Sequence, residues 1–188
     1  MFVSWSKKVT AKIFPDGGFL ALNSWGFNPN RLTAISAVFK ILASYFFLTG
    51  NIVLGGVCII LDYFFDFLDG GVARRTGQVT RRGGIYDFVS DRILREFWIA
   101  ALAYSGAISF NLAFWVIMVD MFSYFINDYA ELNKLKQIEW MPANIKFIIF
   151  GVFTGFLNIF FLIGIFVNSF LTLVNVASLV ILNKEDKK

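Results

Sequence analysis

The sequence predicts an all-α integral membrane protein with six transmembrane helices and an N-terminal amphipathic juxtamembrane helix. Of its 188 residues, 57% are hydrophobic and only 16% are charged, which is more apolar surface than a water-soluble domain of this size can bury. The apolar residues fall in long runs, and a transmembrane helix needs about 20 of them. Charged residues collect between the runs. We therefore expect one membrane domain whose solvent is lipid.

Residues 1–28 are predicted to lie on the membrane surface as an interfacial segment. Lys7, Lys8 and Lys12 are interspersed with apolar residues, and Pro-Asp-Gly-Gly at 15–18 interrupts the run. A signal peptide would need an uninterrupted apolar core, which this segment lacks. Basic and apolar residues mixed in this way are typical of a short amphipathic helix at the membrane surface.

The remaining apolar runs predict a six-span domain over residues 29–183, followed by a charged cytoplasmic tail at 184–188. The first span follows Asn28-Pro29-Asn30, a sequence that favours a turn and a helix start. The last apolar block is too long for one crossing, so it must divide. The spans are placed at 32–48, 52–68, 84–106, 110–129 and twice within 145–182, with the last division near 163–169.

The distribution of basic residues supports this count of spans and orients them. Lys and Arg are concentrated before span one, between spans two and three, after span four and at the C terminus, whereas the three opposite turns contain no charge. Cytoplasmic loops carry the excess of Lys and Arg. Both termini are therefore predicted to be cytoplasmic in a multi-pass cell-membrane protein. The net charge of +4 reflects the membrane surface, and we expect no nucleic-acid partner.

The chain contains no histidine and a single cysteine, Cys58. The absence of histidine excludes Ser-His and Cys-His catalysis and the usual zinc sites. Acid–base chemistry must then fall to carboxylates. Cys58 lies within a span and cannot form an internal disulfide, so it is interpreted as a packing residue.

Aspartates are clustered near the predicted cytoplasmic ends of spans two and three. Asp62, Asp66 and Asp69 stand at i, i+4 and i+7, and Asp87 and Asp91 at i and i+4, so each set lies on one helical face. A short loop joins the two spans, which makes them antiparallel neighbours. Ionised groups at membrane depth are usually paired, solvated or bound to a cation. Oxygen ligands without His or Cys favour Mg²⁺ or Mn²⁺.

Three interpretations of this cluster are open from the residues alone. Glycines around the acids, with Arg74 as a phosphate ligand, describe a diphosphate-binding site. Alternatively, the aspartates form structural ion pairs with Arg74, Arg75, Arg92 and Arg95 in a non-catalytic scaffold. They could also line a cation or proton pathway, because intramembrane acids mark transporters.

The order of residues around the cluster resembles the signature of the class I CDP-alcohol phosphotransferases, DxxDGxxARx8GxxxDxxxD. All specified positions are filled, by Asp66, Asp69, Gly70, Ala73, Arg74, Gly83, Asp87 and Asp91. Six spans with cytoplasmic ends also agree with that family. Its first span often opens with Pro-Asn and a following Thr, to which Pro29, Asn30 and Thr33 are similar.

This resemblance implies roles for the signature residues. The four aspartates would hold two divalent metals, Mg²⁺ or Mn²⁺, that bind the diphosphate of a CDP-linked lipid donor. Asp91 would also act as general base on the acceptor hydroxyl. Gly70, Ala73 and Gly83 would accommodate the cytidine. Arg74 would contact a phosphate.

The resemblance also implies a phospholipid-biosynthetic enzyme that transfers a phosphatidyl or archaetidyl group to a small alcohol and releases CMP. Arg92, directly after Asp91, is similar to members that use a polyol phosphate such as inositol phosphate or glycerol phosphate. Members that bind a phosphorylated acceptor also tend to carry basic residues late in span four and early in span five, where this chain offers only Lys146. Serine, choline and ethanolamine therefore stay alternatives. The sequence is compatible with a homodimer.

Two further intramembrane acids lie outside the signature. Asp62 is a candidate to support the metal ligands from the next turn of the helix. Asp120, in the middle of span four, either lines the cavity or pairs with a polar partner. The sequence leaves both assignments open.

Overall fold

A computed structural model describes residues 16–78, 81–133, 135 and 144–182, with the side chains of 16, 81–91, 144 and 145 excepted. The lysines of the predicted juxtamembrane helix, at positions 7, 8 and 12, and the charged tail at 184–188 therefore lie outside the described residues.

Helices account for all the regular structure in these ranges. No strand occurs in the described residues, so the all-α prediction is confirmed for them. The helices are α1 (Asp16–Ser24), α2 (Pro29–Leu48), α3 (Ile52–Thr76), α4 (Arg81–Tyr104), α5 (Phe110–Leu132), α6 (Asn144–Thr154) and α7 (Leu157–Leu182).

Three of these helices, α2, α5 and α7, are long and apolar enough to cross a membrane by length and composition. Large apolar side chains are widely exposed on them, for example Phe166 at 74% and Leu173 at 68%. Such exposure is unfavourable in water and normal for helices that face lipid. The prediction of a helical membrane protein is confirmed at this level. Helices α3 and α4 have 25 and 24 residues and carry the charged cluster.

Most helix boundaries follow the sequence prediction. Helix α2 begins at Pro29, whose fixed φ and missing N–H suit the first turn of a helix. Gly50 closes α2 with a φ of 78° and Gly106 closes α4 with a φ of 80°, the left-handed conformation that ends many helices. At the N terminus, residues 16–18 belong to the first turn of α1, although the sequence analysis treated them as an interruption.

The division of the last apolar block is the main correction to the predicted elements. The block divides at 155–156 and not near 163–169. Gly155 adopts a φ of 76°, which is not costly for glycine and is unfavourable for the bulky residues of the predicted division. Asn168, which falls in the predicted division, is instead buried within α7 and donates a hydrogen bond to Asp120. Its polarity serves contact between helices.

The chain forms two compact units, of which the first comprises residues 1–43 and 57–94. Its core joins α1, α2 and α3 through Phe19, Leu32, Leu68 and Val72. The ring of Phe19 lies so close to Gly71 that a Cβ atom there would collide with it. Glycine at 71 is therefore required for α1 to pack on α3.

The second unit comprises residues 44–56 and 95–188, and a ladder of polar contacts joins α5 to α7 within it. The partners in each contact are separated by 48 or 49 residues, so the two helices run parallel. Interhelical hydrogen bonds of this kind stabilise helix packing in lipid. The pairs are Asp120 with Asn168, Ser123 with Thr172, and Asn127 with Asn175.

Candidate active site

The three predicted aspartates of span two lie on one continuous helix, α3. Asp62 and Asp69 are buried, with 3% and 5% of their surface exposed, and Asp66 is half-buried. The helical spacing places all three on the same face of α3. Carboxylates buried to this extent need hydrogen-bond or charge partners, and α2 provides some of them.

Thr33 on α2 contacts the signature residue Asp69. Its hydroxyl donates a hydrogen bond of 2.6 Å to Oδ2 of Asp69, while the same oxygen lies 3.0 Å from the carbonyl of Pro29. A hydroxyl has one proton to donate, and the nearer acceptor, the Asp69 oxygen, forms the stronger bond. Thr33 therefore holds one oxygen of the Asp69 carboxylate.

Asp62 belongs to a second, buried contact between the same helices. Ser36 Oγ donates to Asp62 Oδ1 at 2.6 Å, and Lys40 Nζ lies 3.4 Å from that oxygen and 3.3 Å from Ser36 Oγ. Lys40 thus balances the charge of Asp62 inside the membrane domain. Asp62 is a partner of α2, one turn of helix away from Asp66.

Sequence analysis did not identify the α2 partners. Thr33 enters it only through its similarity to a family pattern, and Ser36 and Lys40 carry no assignment there. The signal was present, because Thr33, Ser36 and Lys40 stand at i, i+3 and i+7 and therefore share one face of α2. This face matches the spacing of Asp62 and Asp69 on an antiparallel neighbour.

Arg74 and Gly70 lie against each other near the C-terminal end of α3. A Cβ atom at Gly70 would lie 2.9 Å from Nη1 of Arg74, so the guanidinium extends back over the glycine. Arg74 is exposed. The next residue, Arg75, instead lies over the ring of Phe19 at 4.2 Å, a cation–π contact with α1. The two neighbouring arginines therefore have different surroundings, and only Arg74 is presented to solvent near the aspartates.

Of the remaining signature residues, Ala73 lies on α3 and the other three lie on α4. Asp87 and Asp91 fall within this helix, one turn apart on one face. Their side chains, and that of Gly83, lie outside the described residues. Among the described side chains no group of three or more His, Cys, Asp or Glu residues is placed to hold a metal.

The described donors nevertheless have the chemistry of a hard-cation site. Asp66 and Asp69 are one turn apart, both offer oxygen ligands, and a hydrogen bond from Thr33 supports one of them. Mg²⁺ and Mn²⁺ prefer such ligands. The remaining ligands would have to come from elsewhere, and the predicted ones are on α4.

The two residues predicted to bind the acceptor are found in different units. Arg92 is half-buried on α4 in the first unit, and Lys146 is exposed near the start of α6 in the second.

The second unit also contains acids with buried carboxylate oxygens, among them Asp120. Asp120 is fully buried and accepts a hydrogen bond of 3.0 Å from Asn168, so pairing with a polar partner is observed. Glu96 on α4 was not singled out in the sequence. Both its carboxylate oxygens are buried without a hydrogen bond in the described part of the chain. Arg95 beside it lies 5.4 Å from the ring centre of Tyr124.

Residues 27–182 match the CDP-alcohol phosphatidyltransferase family. The archaetidylinositol phosphate synthase of Pyrococcus horikoshii is 37% identical over 93 residues, which cover 50% of this chain and 50% of the relative. The phosphatidylinositol phosphate synthase of Mycobacteroides abscessus is 32% identical over 96 residues, covering 50% of this chain and 39% of the relative. The matches thus span half or less of each of these relatives.

Solved structures of the Mycobacterium tuberculosis phosphatidylinositol phosphate synthase share the fold. The structure with CDP-DAG bound has a TM-score of 0.73 and 17% identity, and the match covers 88% of this chain and 92% of that one. The structure in complex with manganese and citrate has a TM-score of 0.67 and 18% identity, with 86% and 85% covered. At these identities the likeness concerns the arrangement of helices.

Proposed function

The chain belongs to the CDP-alcohol phosphatidyltransferase family, and from this premise we propose that it transfers a phosphatidyl or archaetidyl group from a CDP-linked lipid to a polyol phosphate, with release of CMP. The observation that carries the proposal is the complete signature, which begins at Asp66 and Asp69 on one face of α3 and continues onto α4. In the transfer, the acceptor hydroxyl oxygen bonds to the lipid-linked phosphorus, the bond from that phosphorus to CMP breaks, and the hydroxyl proton passes to a carboxylate.

The donor is proposed to be a CDP-linked lipid whose nucleotide lies against the C-terminal end of α3. A solved relative of the same fold has CDP-DAG bound, which supports this class of donor. The absence of a side chain at Gly70 lets the guanidinium of Arg74 lie over it, and Arg74 is exposed there. A guanidinium suits phosphate because it donates two parallel hydrogen bonds. Ala73 and Gly83 complete the proposed contacts with cytidine.

The cofactor is proposed to be Mg²⁺ or Mn²⁺, with two ions held by Asp66, Asp69, Asp87 and Asp91. A solved relative contains manganese, and the two described donors have hard-cation chemistry. When bound, the ions would neutralise negative charge on the diphosphate and on the departing CMP. Asp91 accepts the proton of the attacking hydroxyl, because a carboxylate within hydrogen-bond reach can act as general base.

The acceptor is proposed to be an inositol phosphate. Two relatives are named as inositol phosphate synthases, one archaetidyl and one phosphatidyl, so they agree on the acceptor and differ in the lipid. Arg92 and Lys146 are separate candidates for contact with the acceptor phosphate. Glycerol phosphate is the alternative of the same chemistry.

The membrane topology is proposed to be six crossings with both termini and the site cytoplasmic, over residues 29–183. Helices α5 and α7 run parallel, so the chain must cross back between them, and α6 lies in that connection. The number of crossings from α5 through α7, with both included, is therefore odd, which supports the proposal. In the segment 1–28, exposed Leu20 and Trp25, at 51% and 74%, support an interfacial position. The tail at 184–188 and a homodimer stay predictions.

The test is CMP release by the purified full chain in lipid nanodiscs with Mn²⁺. CDP-diacylglycerol and CDP-archaeol are each offered with inositol phosphate, glycerol phosphate or serine. We expect CMP only when a donor and a phosphorylated polyol are both present, and most with inositol phosphate. Absence of CMP with every pair would refute the transferase, and ion accumulation in proteoliposomes would then favour a cation pathway.

A further inference from the structure

We propose that Thr33 is a positioning residue for Asp69, and that the buried contact of Ser36 and Lys40 with Asp62 holds α2 and α3 in the register this requires. The inference rests on the proposed function, since it concerns the orientation of a carboxylate assigned to the cation. It adds residues of α2, all outside the signature, to the working parts of the site.

The hydrogen bond from Thr33 orients the Asp69 carboxylate. The terminal torsion of an aspartate is broad and roughly two-fold, so the backbone of the helix does not by itself set the plane of the carboxylate. A donor on one oxygen restricts that torsion. Thr33 provides this donor at 2.6 Å from Oδ2, in surroundings where Asp69 is only 5% exposed and water screens the bond little.

The side chain of Thr33 is itself restricted. Its hydroxyl lies 3.0 Å from the carbonyl of Pro29 one turn earlier, and its branched side chain has few allowed rotamers. Thr33 is therefore ordered by its own helix. The remaining variable is the register of α2 along α3.

The buried contact at Asp62 holds the register of α2 along α3. Asp62 lies seven residues before Asp69, which is about 10 Å along the helix axis. Ser36 and Lys40 converge on the same oxygen of Asp62, at 2.6 and 3.4 Å. A slide of one helix past the other would separate a buried ion pair, which is costly in a low-dielectric interior. The Asp62 contact therefore anchors the pair of helices at a distance from Thr33.

This arrangement divides the acids of α3 by role. The charge of Asp62 is balanced by Lys40, so it does not require a cation. The hydroxyl that Asp69 receives from Thr33 is neutral, so this contact orients the carboxylate without cancelling its charge. Hydrogen-bond partners of metal ligands typically contribute about 10- to 100-fold in metal affinity, which sets the size of the expected effect.

The experiment is Mn²⁺ binding to the purified full chain, measured from the EPR signal of free Mn²⁺ without donor or acceptor. The variants are Thr33→Val, which keeps the shape, Thr33→Ala, which avoids strain if valine prevents folding, and Thr33→Ser, which restores the hydroxyl. Thr154→Val is the matched control, because Thr154 also contacts the carbonyl one turn earlier, at 2.7 Å, but lies on α6.

We expect Thr33→Val and Thr33→Ala to raise the Mn²⁺ Kd by about 10-fold or more. Thr33→Ser and Thr154→Val should bind Mn²⁺ as the wild type does. Wild-type affinity in Thr33→Val or Thr33→Ala, or weak binding in Thr33→Ser, would overturn the positioning role while CMP release by the wild type still supports the transferase. If the wild type neither binds Mn²⁺ nor releases CMP, both proposals fail.

Discussion

The ammonium nitrogen of Lys40 lies 3.4 Å from Oδ1 of Asp62, and both side chains are about 95% buried. Each of these charges would be strongly unfavourable alone in a membrane domain. Together with Ser36 they form a contact that joins α2 to α3 without any signature residue. The structural role of this pair can therefore be tested separately from catalysis.

Lys40→Met should destabilise the protein because it leaves Asp62 buried without its cation. Breaking a buried ion pair from one side typically costs about 3–5 kcal/mol. The double variant Lys40→Met/Asp62→Leu removes both charges and should recover most of that loss. Thermal unfolding of the purified protein in detergent gives the comparison. The control is Lys146→Met, the same change at an exposed lysine, and equal stability of the single and double variants would contradict the assignment.

Asp62, Asp66 and Asp69 should differ in their effect on metal binding although they share one face of α3. Asp66→Asn and Asp69→Asn should weaken Mn²⁺ binding by more than about 100-fold, beyond the usual effect of an outer partner. Lys40→Met/Asp62→Leu should weaken it by less than about 10-fold, because that pair acts only through helix register. Titration of Mn²⁺ by EPR measures all three. Comparable losses in every variant would mean that Asp62 is itself a ligand.

How far the sequence predicts this site can be seen on α3 and α2. The acids of α3 are predictable, because the period of a helix alone determines which residues share a face. Their partners on α2 are not predictable in this way, because pairing depends on how the two helices are aligned along their axes. The periodicity of each helix gives no information on that alignment. Lys40 therefore looks like an isolated charge until its distance to Asp62 is known.

The last apolar block shows a different limit of sequence analysis. Asn168 is polar in an apolar run, which is as compatible with a turn as with a buried contact between helices. Only the position of Asp120 on α5 shows that Asn168 makes a buried contact between helices. Gly155 carried the correct signal, but a glycine inside a membrane helix is common enough that it does not mark a boundary alone.

Gly71→Ala should loosen α1, because the new methyl group would collide with the ring of Phe19. Phe19 is fully buried between α1 and α3, so it cannot move without opening the core of the first unit. Overpacking of this kind typically costs about 1–3 kcal/mol. Thermal unfolding measures the loss. Gly17→Ala, where nothing lies within 4 Å of the added atom, should be neutral, and equal behaviour of the two variants would refute the proposed packing.

Arg74→Lys should weaken donor binding, because lysine keeps the charge and loses the two-pronged contact with phosphate. We expect the KM for the CDP-linked lipid to rise by about 10-fold, equivalent to about 1.4 kcal/mol, with little change in kcat. Arg75→Lys is the control, since Arg75 lies over Phe19 and a lysine can keep a cation–π contact. An unchanged KM in Arg74→Lys would remove Arg74 from the nucleotide site.

Asp91→Asn should abolish turnover while nucleotide binding largely survives. An amide cannot accept the proton of the acceptor hydroxyl, and general-base catalysis typically contributes about 10²- to 10⁴-fold, so CMP release should fall by that factor. CDP affinity, measured by calorimetry at Mn²⁺ concentrations that saturate both wild type and variant, should change by less than about 10-fold, since three of the four proposed ligands remain. Asp186→Asn in the C-terminal tail makes the same change outside the signature and should leave both quantities unaltered. If Asp91→Asn loses turnover and CDP binding together, Asp91 acts only as a metal ligand, and the proton must be accepted by another group.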